Sequence, residues 1–232
     1  MRVYAIGDIH GRHDLLIALL DTIAKDALRQ NDARQTQLVF LGDYIDRGDR
    51  SAEVMEVIRS LVEDTGGGAV AILGNHEAAL LDFIDEPIAG QSWLSYGALQ
   101  TIASYGEPLP PRTPGEADLI GLRNRISEKM APDIAFLKTL PTHYRSGSVL
   151  FTHAGCNPGI GDGTKDERGM IWGHPDGLGD QPLRDTLLVH GHFDAPDPVQ
   201  RPGRICVDTG AYYSGRLTAV RLDDGIQFIV AG

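Results

Sequence analysis

Three short blocks of metal-binding residues, each closing an apolar run, limit what this chain can fold into more than any other feature. They are Gly7-Asp8-Ile9-His10-Gly11, Gly42-Asp43-Tyr44-Ile45-Asp46-Arg47-Gly48 and Gly74-Asn75-His76-Glu77. Each follows a strand-like stretch (Arg2 to Ile6, Gln37 to Leu41, Ala69 to Leu73) and precedes a helix-like one. They recur at about thirty residues, the length of a βαβ unit. The carboxyl ends of neighbouring strands in an open α/β sheet line one crevice, so Asp8, His10, Asp43, Asn75 and His76 are expected in one place. Carboxylate, imidazole and amide oxygen, with no thiolate, suit Mn, Fe, Zn or similar divalent ions. The expectation is a metal site, and a dinuclear one.

The rest of the chain supports one α/β domain. Leu15, Leu16, Leu19, Leu20 and Ile23 repeat at helical spacing after the first block, and Val54, Val57, Ile58 and Leu61 after the second, with Ser51 as an N-cap. Residues 86–141 change character: short helical stretches, a proline-rich connector from Glu107 to Pro114, then a helical run interrupted at Pro132. This reads as a helical insertion beside the site. The last part is β-rich (Val149 to Thr152, Thr186 to Val189, Arg204 to Val207, Leu217 to Leu222), and Asp224-Gly225 signals a hairpin into Ile226 to Val230. Late, meandering strands predict a second sheet packed on the first, and Tyr212 and Tyr213 read as strand residues that point opposite ways.

Composition excludes several classes. The 232 residues and 42% hydrophobic content suit a single globular core. No apolar run approaches the eighteen or so residues of a membrane span, and no signal-peptide pattern precedes the first strand. Cys156 and Cys206 stand apart, which fits a reducing, cytoplasmic setting. A net charge of -11 opposes binding along a nucleic-acid backbone.

Two further histidine positions repeat the strand-end pattern. His153 ends Val149-Leu150-Phe151-Thr152, and His190-Gly191-His192 follows Leu187-Leu188-Val189. Of the last pair His192 is the expected ligand, because Gly191 permits close backbone approach. With these in place the chain resembles the phosphoprotein phosphatase family, the metal-dependent serine/threonine phosphatases with bacterial and phage-type members. The Asp46-Arg47-Gly48 extension of the second block is its most specific mark, and the order of motifs spans nearly the whole chain.

The resemblance implies a calcineurin-like metallophosphoesterase fold, two mixed sheets flanked by helices in an α/β/β/α sandwich. It implies that Asp8 and His10 hold one divalent metal and that Asn75, His153 and His192 hold another, with Asp43 bridging them. Mn is the expected ion, with Fe, Zn, Co or Ni as alternatives. A metal-bridging hydroxide would attack phosphorus directly, without a phosphoenzyme. His76 would protonate the leaving oxygen, Asp46 would orient its ring, and Arg47, with Asn75 and His76, would contact the phosphate. Glu77 is read as structural.

Two departures bear on substrate. His174 stands where many bacterial members carry a second phosphate-contacting Arg, and Phe193-Asp194 replaces the usual Thr-Pro after His192. Arg168 lies just upstream, with nothing in the spacing to bring it to the site. The leading expectation is a serine/threonine protein phosphatase acting on a phosphorylated protein or small phosphoester. A dinucleoside polyphosphate hydrolase is the second reading, since diadenosine tetraphosphate hydrolases share the metal motifs. A non-catalytic phospho-partner module is the third, and the intact ligand set weighs against it.

Overall fold

The computed structural model describes residues 1–157, 166–173 and 185–232. The first half alternates as the hydrophobic pattern dictates: β1 (Arg2–Ile6), α1 (His13–Arg29), β2 (Thr36–Phe40), α2 (Ser51–Asp64), β3 (Ala69–Ala71) and α3 (Asn75–Asp85). β1, β2 and β3 are parallel neighbours, with Arg2 paired to Thr36 and Leu38 to Ala69. A right-handed crossover through a helix is the ordinary way to join such strands.

A 3₁₀ segment (Ala89–Tyr96), α4 (Ala98–Ser104), α5 (Glu116–Lys129) and α6 (Ala131–Leu137) follow. Pro132 lies in the first turn of α6, where its missing N–H has no helical partner to lose. Then come β4 (His143–Ser146), β5 (Val149–Thr152), α7 (Glu167–Trp172), β6 (Leu187–His190), β7 (Val199–Arg201), β8 (Arg204–Cys206), α8 (Ala211–Ser214), β9 (Leu217–Leu222) and β10 (Ile226–Ala231).

Two mixed sheets of five strands result, in the orders β10-β9-β1-β2-β3 and β4-β5-β6-β8-β7. The α/β architecture expected from the motifs, two mixed sheets flanked by helices, is therefore present. Its wiring differs from expectation in one respect: the last two strands do not extend the second sheet. β9 returns to pair antiparallel with β1, Val3 opposite Leu222. Its alternation explains why, because Leu217 and Ala219 enter the core under the helices while Val220 and Leu222 enter the core between the sheets.

β1 shows the same two-sided burial. Tyr4 and Ile6 pack with Leu16, Leu19 and Phe40 on the helical side, and Val3 and Ala5 pack with Val39, Phe151 and Val189 between the sheets. A strand covered on both faces reads as an unbroken apolar run, as Val3-Tyr4-Ala5-Ile6 does. Cys156 is a small buried residue beside Leu150, Met170 and Leu188, on the outer face of the second sheet.

Two local expectations are corrected. Tyr212 and Tyr213 lie in the single-turn helix α8, bounded by Gly210 and Gly215 at φ 63° and 71°, so the strand argument about their directions does not hold. Ser51 is the first residue of α2 and not its cap; its hydroxyl accepts from the Asp46 backbone N–H at 3.2 Å. No helix among the described residues is long and apolar enough to cross a membrane.

Candidate metal centre

The ends of β1, β2 and β3 in the first sheet and of β5 and β6 in the second open onto one place. Asp43, in the loop after β2, is its hub. The His10 and His76 Nε2 atoms lie 3.4 and 3.8 Å from Asp43 Oδ2, and His153 Nε2 lies 3.3 Å from Asp43 Oδ1. Two groups have the spacing to hold a cation: His10 with Asp43 and His76, and Asp43 with His153 and His192. Asn75 joins the second, its Oδ1 2.8 Å from His153 Nε2 and 2.9 Å from His192 Nδ1.

Asp8 belongs to neither group. Both its carboxylate oxygens accept from the His192 backbone N–H at 3.2 Å. Burial, with Asp208 and Asp43 nearby, raises its pKa well above the ordinary carboxylate value. Asp208 is itself pushed up to about 6, first by burial. His190 stays apart from the cluster, fully buried, with Nδ1 donating to the Gly191 carbonyl at 2.8 Å.

The loops are built for this convergence. Five of the non-glycine residues at positive φ are His10, Asp43, Asp46, Arg47 and His192, between 46° and 71°. Such conformations cost free energy and persist where surrounding structure imposes them, commonly at functional sites. A Cβ on Gly191 would overlap Asp8 Oδ1, and one on Gly74 would overlap the Asp43 backbone nitrogen. Glu77 acts structurally, as expected: it accepts from the backbone N–H groups of Asp43 (2.8 Å), Tyr44 (2.8 Å), Ile45 (3.2 Å) and Gly74 (3.1 Å), tying the second block to the third.

The donor set fits divalent cations on physical grounds. Nδ1 of His10 donates to the Ile45 carbonyl and Nδ1 of His153 to the Leu41 carbonyl, each at 2.9 Å. That leaves both Nε2 atoms with their lone pairs facing inward, which is how imidazole ligands are commonly oriented. His153 Nε2 thus meets Asn75 Oδ1 and Asp43 Oδ1, acceptor against acceptor, an arrangement a cation relieves. Burial lowers the pKa of His10 to about 3 and of His192 to about 4, and it lowers that of His153 as well. All three are therefore neutral near pH 7, the form that binds metal. Burial opposes charge on Asp43, but His153, His76, His10 and the His76 backbone N–H together hold it well below the ordinary value.

His76 and Asp46 form the adjoining pair. The His76 Nδ1–H donates to Asp46 Oδ2 at 2.7 Å. Asp46 is fully buried and also accepts from Trp93 Nε1 at 2.9 Å and from the Thr101 hydroxyl at 2.6 Å. Burial lowers the His76 pKa, but Asp43 and Asp46 outweigh it and the net shift is upward. Arg47 sits exposed at the mouth, its Nη1 donating to His10 Nε2 at 3.1 Å and its guanidinium carbon 4.8 Å from the Tyr212 ring centre.

Sequence reasoning missed three contributors. Asp208 follows the apolar run Ile205-Cys206-Val207, the same strand-end pattern as the other blocks, and could have been found by it. Trp93 is buried and holds Asp46, as does Thr101. No local pattern announces either role. Arg168 lines, together with Tyr96 and Trp172, a cavity next to the cluster and not the cluster itself. His174 lies outside the described residues; Asp166 caps α7, accepting from the Gly169 backbone N–H at 3.0 Å.

The sequence profile of the calcineurin-like phosphoesterases matches residues 1–232, and the chain belongs to that family. Among its relatives is an asymmetrical bis(5'-nucleosyl)-tetraphosphatase of Anoxybacillus flavithermus, 27% identical over 93% of this chain and 88% of the relative. Another is a symmetrical bis(5'-nucleosyl)-tetraphosphatase of Aromatoleum aromaticum, 25% identical over 99% and 97%. A protein serine/threonine phosphatase of Saccharomyces cerevisiae has a similar structure, with TM-score 0.63 at 15% identity, over 100% of this chain and 79% of that one; this likeness shows the fold alone.

These findings correct the expected function. Serine/threonine protein phosphatase is the leading expectation from the motifs, yet relatives that match nearly the full chain are named bis(5'-nucleosyl)-tetraphosphatases. The physical reason is that the shared motifs hold metal and phosphoryl group, and say nothing of what the phosphoryl group is attached to.

Proposed function

We propose that this phosphoesterase is a dinucleoside polyphosphate hydrolase that splits a phosphoanhydride bond by transfer of a phosphoryl group to water. The observation that carries the reading is the pair of ligand groups meeting at Asp43, in a chain whose full-length relatives are named bis(5'-nucleosyl)-tetraphosphatases. Asp8, His10, Asp43, Asn75, His153 and His192 are the residues proposed to hold two divalent ions, with Mn as the ion to assay. Bound there, the ions would supply Lewis acidity to a phosphoryl group and lower the pKa of water.

The chain's own residues supply the rest. Arg47, exposed at the mouth on a rigid fork, is proposed to take phosphate oxygens. His76, held in one tautomer by Asp46, carries its remaining nitrogen towards Asp43 and is proposed as the proton donor to the leaving phosphate. Trp93 and Thr101 position Asp46 and through it the ring.

The test is turnover of diadenosine tetraphosphate by the purified protein, with Mn returned after chelation and products separated by chromatography. ADP alone marks cleavage at the centre, and AMP with ATP marks cleavage to one side. Failure to hydrolyse the substrate under saturating Mn overturns the reading.

A further inference from the structure

α3 places His76, Ala79 and Asp82 along one side at three-residue spacing, and Glu86 caps its carboxyl end. Beyond His76 this side floors a cavity of about 510 Å3 whose walls include Tyr96, Trp172 and Arg168. The volume falls in the range of small-molecule sites. The Tyr96 ring centre is 6.0 Å from that of His76 and 6.2 Å from that of Trp172, the latter pair inclined at 61°. Tyr96 is 36% exposed, although a large aromatic ring normally gains by burial. The same 3₁₀ segment carries Trp93, which clamps Asp46, so one short element links the reacting residues to the cavity.

We propose that this cavity seats one nucleoside of the substrate, its base on the Tyr96–Trp172 pair and its ribose hydroxyls on Asp82 or Glu86. The inference rests on the dinucleoside polyphosphate reading and names how that substrate is held. A planar base laid on one of the inclined rings meets the other at its edge, a favourable aromatic geometry. Carboxylates accept from ribose hydroxyls in dinucleotide sites. They also repel phosphates, which turns the polyphosphate away from the cavity floor and towards His76 and Arg47. Arg168 is the cation at the cavity wall, placed for a phosphate at its rim.

Adenosine, which has no phosphate for the metal centre, isolates this subsite. Trp172 and the buried Trp93 are the two tryptophans of the chain. Adenosine should quench the intrinsic emission saturably, and Trp172→Phe should abolish that signal. Tyr96→Ala should weaken binding about tenfold, the order of one lost base–aromatic stack, whereas Tyr96→Phe should retain it. Asp82→Asn combined with Glu86→Gln should remove the preference for adenosine over its 2′,3′-dideoxy form. In turnover, Tyr96→Ala should raise KM for diadenosine tetraphosphate about tenfold. Absence of saturable quenching, or adenosine binding indifferent to Tyr96→Ala in a variant that melts like the parent, overturns the subsite. Hydrolysis of diadenosine tetraphosphate by the unaltered protein is scored separately, so loss of the subsite and loss of the parent reading give different results.

Discussion

Asp46 receives the His76 Nδ1–H at 2.7 Å with no water-exposed surface of its own, and it remains ionisable because Trp93 and Thr101 donate to it as well. Burial raises its pKa, and although His76, Thr101 and Trp93 work in the opposite direction the net shift is upward. A carboxylate so enclosed fixes the ring's tautomer and orientation, which a solvated aspartate could not do. Asp46→Asn should therefore keep the bound metals and slow diadenosine tetraphosphate hydrolysis about 10- to 100-fold, the usual effect of removing an outer partner. His76→Asn should cost about 10²- to 10⁴-fold. Metal content by plasma mass spectrometry decides the role: loss of an ion from His76→Asn would make it a ligand and not a proton donor.

Asp43 serves both candidate groups, so its charge should matter twice. Chelation is expected to abolish activity and Mn to restore it. Asp43→Asn should lower the metal stoichiometry at both positions while leaving the circular dichroism spectrum intact. Full turnover in a thoroughly chelated sample would end the metal-centre proposal.

Gly191 tests the packing of the same centre from the backbone side. A methyl group there overlaps Asp8 Oδ1, which cannot retreat far because the His192 N–H holds it. Gly191→Ala should destabilise the fold by about 1–3 kcal/mol, the range for overpacking a filled site, and weaken Mn affinity. Urea unfolding and Mn titration read the two effects separately; wild-type behaviour in both would show that Asp8 has room to move.

Away from the site, Asp26 contributes to acid stability. It accepts from Arg221 Nη1 at 3.0 and 2.9 Å and from the Tyr4 hydroxyl at 2.7 Å, tying α1 to β9 and β1. Burial alone would raise its pKa, but these donors outweigh it and hold the group below its ordinary 3.8. Its contribution is thus complete above pH 3.8 and is lost as pH falls through the lower folded value. Asp26→Asn should cost about 1–3 kcal/mol at pH 7 by leaving a half-buried donor unpaired. The difference from wild type should shrink as the pH falls below 4 in thermal unfolding; a constant difference would assign the effect to geometry and not to charge.

The linear order of residues determined the strand-end blocks, and with them most of the candidate centre. Each block is local: an apolar run makes a strand, and the polar residues that follow must emerge at its carboxyl end. Asp8, His10, Asp43, Asn75, His76, His153 and His192 were legible for that reason, and so was the βαβ half, where short apolar runs alternate with stretches of helical spacing. What the sequence did not carry was pairing across distance. The return of β9 to β1, the approach of Asp208 to Asp8, the two donors from the 3₁₀ segment and α4 onto Asp46, and the meeting of Tyr96 with Trp172 all join residues far apart in the chain. No local spacing encodes such contacts; they are selected by which faces must be buried together once the two sheets pack. Substrate preference belongs to this second class, since it depends on what surrounds the shared phosphoryl chemistry and not on the residues that perform it.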